Sequence, residues 1–208
     1  MSNWNGMLIP LFCGLIIIPG IILFLDYFIR RIDEQHGLPE KVPYTIMIVS
    51  GIAGCYLMKR FEILGACFCV LLVFLLIMAW TDYHTRHLYT AFSLLAYLIG
   101  MGDLILRTGL IIDYIKFLLL YLLVLSFLMF LRAFARGDIY MVVAASPFLF
   151  IYGDHIHISG IMLNLVFTFA AMLLCVIGNL KNLFRRGKQS IPFAPYAAAA
   201  FLVLIIIF

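Results

Sequence analysis

The feature that most limits what this chain can fold into is a succession of apolar runs separated by short polar breaks. Phe61 to Trp80 is the clearest, with Glu62 as its single charge. A helical crossing of a bilayer needs roughly 20 apolar residues, and a helix satisfies all of its own backbone donors and acceptors there. Runs at Met7–Ile29, Tyr44–Met58, Phe61–Trp80, Leu88–Leu106, Ile115–Leu131, Ile139–Tyr152, Ile156–Gly178 and Ile191–Phe208 give about eight candidate spans. The expected fold is therefore all-α, a polytopic transmembrane helical bundle forming one domain over 1–208. Composition points the same way, with 66% apolar and 12% charged residues against about 45–50% and 25% in soluble domains. Functions that need a sizeable water-soluble domain are excluded.

The first run lacks a basic segment before it and a small-residue cleavage site after it, so it reads as a permanent span and not as a signal peptide. Pro10 and Pro19 should bend it. RRIDEQHGLPEKVP, residues 30 to 43, is a short polar loop broken by Gly37, Pro39 and Pro43. Only Lys59 and Arg60 separate the second run from the third, which predicts an antiparallel hairpin. Alternation of eight spans puts Lys59, Arg60, Arg107 and Lys116 on one side and the remaining ten of the 14 Lys and Arg on the other. That excess marks the cytoplasmic side and leaves both termini outside. The net charge of +4 is thus spent on orientation in a bilayer, and no nucleic-acid partner is implied.

Few polar residues remain to carry chemistry. Cys13, Cys55, Cys67, Cys69 and Cys175 all lie inside apolar runs and read as small core residues. His84 with His87, and His155 with His157, fall on opposite sides of the expected topology, so no metal site is expected from them. Glu62, Asp103, Asp113 and Asp154 sit near span ends on the outer side, and Asp26 is placed to pair with Arg30 or Arg31. Trp4 and Trp80 suit an interface.

Asp82 and Asp138 are different. Asp82 in TDYHTRHLYT stands where one run stops, Asp138 in ARGDIY where another begins, and the charge count puts both on the cytoplasmic face. Two carboxylates close together cannot both ionise easily and share one proton, so that one serves as a base for water and the other as an acid for a scissile carbonyl. Asp82 near a helix C-terminus and Asp138 near an N-terminus would be biased by the helix dipoles, about 0.3–1 kcal/mol each. On that ground Asp138 is expected to be the more readily ionised and Asp82 the more readily protonated. Gly137, just before Asp138, would let backbone approach an extended substrate.

DYHTRHL at 82–88, ARGDIYMVVAASPF at 135–148 and IPFAPYAAAAFL at 191–202 together resemble, in order, the motifs of the type IV prepilin leader peptidases. These are membrane aspartyl proteases with an aspartate followed by a basic segment, a GxGD motif opening a later span, and a Pro-Phe-x-Pro turn into the last one. FLDYFIRR from Phe24 is similar to the family's first-span exit. Ala135 stands where the motif has its first glycine, and Leu88-Tyr89 replaces isoleucine-proline. The resemblance implies catalytic Asp82 and Asp138 and a prepilin or pseudopilin substrate cut before its hydrophobic helix, at the inner membrane of a prokaryote. The cysteine pairs that imply zinc in many members are missing from the 30–43 loop, so no metal cofactor is expected. S-adenosylmethionine would be needed only if the family's N-methylation of the new terminus is retained, which the sequence leaves open. Asp33, Glu34 and Glu40 either draw in the basic leader by charge or belong to a solvated turn.

Two other classes compete. An ion-coupled transporter would place acids deep within spans, whereas these lie at span ends. A non-catalytic membrane scaffold would need neither aspartate.

Overall fold

The computed structural model describes residues 9–32, 42–85, 90–107, 109–131, 134–180 and 191–208. Helix α1 (Ile18–Ile32) follows a single π turn at Cys13–Ile17. After it come α2 (Tyr44–Thr85), α3 (Thr90–Leu106), α4 (Ile111–Phe130), α5 (Arg136–His155), α6 (Gly160–Gly178) and α7 (Ala194–Ile207). The described residues contain helices and no strand.

The 42 residues of α2 would make a rod of about 63 Å if straight, but they double back. The Cys69 thiol meets the Gly54 carbonyl at 3.8 Å, a pair that a straight helix would hold about 22 Å apart. A Cβ on Gly65 would lie 2.5 Å from the Leu57 carbonyl oxygen. The hairpin expected at Lys59–Arg60 is therefore present, with the residues on both sides of the reversal helical. Counting its two arms, residues 44–58 and Leu64–Thr85, the described residues form eight helical legs.

Four segments are long and apolar enough to cross a membrane: Ile9–Arg31, Leu64–Thr85, Ile111–Phe130 and Gly160–Gly178. They divide sharply by environment. Most of Leu64–Thr85 is buried, whereas the other three bury fewer than a third of their residues and expose, among others, Phe24, Leu119, Leu123 and Phe169. An apolar exterior of this extent is unlike that of a soluble domain and suits lipid.

Packing around the central arm depends on small residues and on tyrosines. A Cβ on Gly14 would come within 2.6 Å of the Cys55 amide nitrogen and 2.8 Å of the Gly51 carbonyl, so the π turn before α1 crosses the first arm of α2 almost backbone to backbone. Gly100 of α3 lets the Pro147 and Phe148 side chains of α5 rest on bare backbone. α4 touches the bundle with one stripe, Tyr114, Phe117, Tyr121 and Leu125, at the spacing of one helix face. Pro147 offers no N–H to the Val143 carbonyl. Ser146 supplies its hydroxyl instead, at 2.8 Å, so the Tyr114 hydroxyl must be the donor in its 2.7 Å bond to Ser146.

The legs give the bundle two distinct ends. At one, the hairpin tip packs Phe61 edge-on against Tyr152 and His155 at the close of α5. Asp82 and the start of α5 lie at the other.

Candidate functional site

Asp82 does not end its helix but sits in the last turns of α2, which continues to Thr85. The residue is 6% exposed. Thr81 and Thr85 turn their hydroxyls back to carbonyls of their own helix, leaving the carboxylate to reach outward. Its Oδ2 accepts the Ala194 N–H at 3.0 Å. That donor is one of the first-turn amides of α7, which have no partner within their own helix; Pro195 in the same turn has none to give. Asp82 thus caps α7 from a different helix.

Asp138 lies in the first turn of α5, where it accepts the Ala135 N–H at 2.9 Å. The two acids are brought together by a ring contact: Phe134, just before α5, meets Phe193, just before α7, edge to face at 5.1 Å. Both rings are 5% exposed. Since Phe193 precedes the amide that Asp82 holds, this contact joins the entrance of α5 to the carboxylate on α2.

Burial pushes the Asp138 carboxyl up from 3.8 to about 6, against the lowering effect of the Ala135 N–H, and the charge of Asp82 pushes it further the same way. The direction runs against the lowering expected of Asp138 from its place at a helix N-terminus. A rise of that size corresponds to roughly 3 kcal/mol, several times the 0.3–1 kcal/mol of a helix dipole, so desolvation wins over position in the helix.

A third side chain borders the pair. The Cys175 thiol on α6 lies within electrostatic reach of both Asp138 and Asp82. One turn on, Asn179 donates to the Cys175 carbonyl and to the Tyr196 hydroxyl, each at 2.9 Å. A Cβ on Gly178 would lie 2.5 to 2.8 Å from the Tyr196 phenol, so that ring rests on bare backbone. These residues tie the end of α6 to the start of α7 and hold in place the amide that Asp82 uses. Sequence reading passed them over. The available signal was an asparagine and a glycine closing an apolar run, with a tyrosine one residue beyond Pro195.

The remaining candidates separate. Gly137 is half-buried and, among the described residues, no glycine has a positive φ, so any role it has comes from its missing side chain and not from an unusual backbone. Asp26 is 5% exposed and pairs with Arg30 at 2.9 Å, while Arg31 donates to Tyr27. His84 rests on Trp80, its Nδ1 at 3.1 Å from the Trp80 carbonyl. His155 and His157 are at the far end of α5 from Asp138. Asp33, Glu34, Glu40 and His87 lie outside the described residues. Among the described residues no group of three or more His, Cys, Asp or Glu side chains is placed to hold a metal ion. The chain matches no family model, and no curated protein or solved structure matches it.

Proposed function

We propose that the protein is a membrane aspartyl endopeptidase of the prepilin peptidase type. Its substrate would be a prepilin or pseudopilin, cut between a basic leader and the hydrophobic helix that follows. The observation that carries this reading is that Asp138 feels the charge of Asp82: two acids far apart in the sequence lie within electrostatic reach of each other at one end of the bundle. Asp138, held up to about 6, is the proton holder, and Asp82 is the base.

In the reaction, water attacks the carbonyl carbon of the scissile bond and gives a proton to Asp82, while Asp138 protonates the carbonyl oxygen. The tetrahedral gem-diol then collapses with C–N cleavage: the proton on Asp82 goes to the leaving amine, and one hydroxyl proton returns to Asp138, which restores the pair. In this reading all eight legs cross the cytoplasmic membrane of a prokaryote, both termini face outward, and the acid pair opens inward. An interfacial position makes chemical sense, because a peptide bond can be extended there without unwinding a helix in lipid.

Asp82→Asn and Asp138→Asn, each in membranes supplied with a prepilin, should lower leader cleavage by about 10³-fold or more. Asp113→Asn, at an exposed acid on α4, should leave it unchanged. Wild-type cleavage should decline as the pH rises through about 6, because the pair then loses the proton that the acid must donate. Retention of more than a tenth of the activity in either site variant refutes the reading.

A further inference from the structure

We propose that Tyr196 and Asn179 are positioning residues for the cleavage reaction: they fix the first turn of α7 so that the Ala194 N–H stays aimed at Asp82, the base. The proposal rests on the peptidase reading.

The first turn of α7 has one N–H to give away. Pro195 has none, and the Tyr196 N–H returns to the Phe193 carbonyl at 3.0 Å. The Ala194 N–H leaves the helix and goes to Asp82 at 3.0 Å. Both ends of that bond are dehydrated, with Asp82 at 6% exposure and Ala194 fully buried, so solvent is poorly placed to replace the donor if it turns away. An N–H donor favours the charged form of the carboxylate that accepts it, and its hold weakens steeply once the bond bends. Asp138 on α5 and Cys175 on α6 lie within electrostatic reach of Asp82, whereas α7 carries no acidic or basic side chain. What α7 offers the carboxylate is therefore a backbone dipole, and packing must place it.

Two residues at the end of α6 do so through Tyr196. The Asn179 side chain spends both amide hydrogens at 2.9 Å, one on the Cys175 carbonyl of its own last turn and one on the Tyr196 hydroxyl. A carbonyl can only accept, so the nitrogen of Asn179 and not its oxygen faces these partners. The bond to Cys175 fixes the Asn179 side chain, and the bond to Tyr196 carries that restraint across to α7. Gly178 adds a second restraint, since a Cβ there would lie 2.5 Å from the Tyr196 hydroxyl and 2.6 Å from its ring. On the other side of Ala194, the Phe193 ring is seated against Phe134. The chain is thus held just before and just after the amide that Asp82 uses.

Tyr121 on α4 supplies the comparison. Its buried hydroxyl bonds that of Thr168 on α6, so it also joins two helices through a phenol, but it touches neither acid.

The test uses the full chain in lipid vesicles with a prepilin, and follows cleavage per folded molecule across pH. Tyr196→Phe removes the hydroxyl and keeps the ring, and Gly178→Ala pushes the ring off the backbone. Each should move the acidic limb of the kcat profile up by about 0.5–1 pH unit, a loss of about three- to tenfold on the acidic side of the optimum, with KM unchanged. Because both act through one ring, the double variant should shift the limb by less than the sum of the two. Tyr121→Phe should lower the melting temperature and leave the profile alone. An acidic limb at the wild-type position in both Tyr196→Phe and Gly178→Ala overturns the positioning role and spares the peptidase reading. So does an equal shift in Tyr121→Phe, which would make the effect a general loosening, or a rise in KM at constant kcat, which would make Tyr196 a substrate contact. Wild-type protein that cuts no prepilin overturns both.

Discussion

The two ends of α7 are held by the same helix in the same manner, yet they do different things. At the start of α7, Asp82 of α2 accepts the Ala194 N–H. At its close, Arg60 in the α2 hairpin donates to the Ile205 carbonyl at 3.0 Å, with its guanidinium over the Phe61 ring. Acid at the N-terminus and base at the C-terminus is the arrangement the helix dipole favours, and each group satisfies backbone that the helix cannot. The difference lies in what stands beside each anchor. Arg60 is exposed and has aromatic rings for neighbours, so its charge is solvated and static. Asp82 is buried with a second carboxylate in reach, so the same capping role comes with an unstable surplus of negative charge. A structural anchor becomes a candidate reactive group when a like charge is placed next to it out of water.

If that contrast is right, the acid end should be less stable than it need be. An Asp138 carboxyl raised to about 6 in the folded chain, from about 3.9 when unfolded, makes the folded form bind more protons between those values. Stability is then fully present at low pH and declines as the pH rises from about 4 through 6. Asp138→Asn keeps an oxygen to accept the Ala135 N–H and removes the charge. At pH 7 it should stabilise the protein by about 1–2 kcal/mol, less than the full roughly 3 kcal/mol because the side chain is partly open to water. Thermal melts in detergent at pH 4 and pH 7 would show it: the variant should gain at pH 7 only. An equal gain at both pH values, or none, would remove the electrostatic coupling from the argument.

The Arg60 end should behave in the opposite way. Arg60→Met loses the bond to Ile205 and the favourable charge at the helix terminus, for a cost of about 1 to 1.5 kcal/mol. Leader cleavage per folded molecule should stay at the wild-type level, since nothing at this end touches the acid pair. A melt and a cleavage assay on one preparation decide it. Loss of activity beyond the loss of folded protein would mean that the seat of α7 at its far end also sets the Ala194 amide.

Much of this layout is legible in the sequence, and the rest is hidden for identifiable reasons. The helical legs follow from apolar runs, and the fold-back follows from Lys59 and Arg60 interrupting them, because a charged pair is costly within lipid. That Asp82 and Asp138 stand at one end of the bundle follows from topology, since an even number of helical legs between two positions returns them to one end. Which backbone amide Asp82 would take, and that Phe134 would find Phe193, depend on contacts between distant segments that no local period encodes. Cys175 and Asn179 share this difficulty: on α6 alone they are an ordinary apolar-run residue and a helix-end asparagine. The Asp138 shift runs against its helix position because that position can be read from sequence while the degree of dehydration cannot.

The smallest expected effect lies at the turn from α5 to α6, beside the hairpin tip. His157 has φ of 57° and is the one described non-glycine residue with a positive φ. It stands where α5 closes in a Schellman-type turn, with Ile158 N–H bonded to the Gly153 carbonyl at 2.8 Å. The left-handed conformation costs an L-residue about 1–2 kcal/mol, and glycine returns about 0.4–1 kcal/mol of that through its looser unfolded chain. The His157 side chain is exposed, so little packing is lost on replacing it. His157→Gly should therefore stabilise the protein by about 0.5–1 kcal/mol, read as a modest rise in melting temperature, with cleavage unaltered. A turn can be relaxed in this way only where strain serves no reaction. A drop in cleavage would place the turn in the working part of the molecule and weaken the division between a reactive end and a packing end.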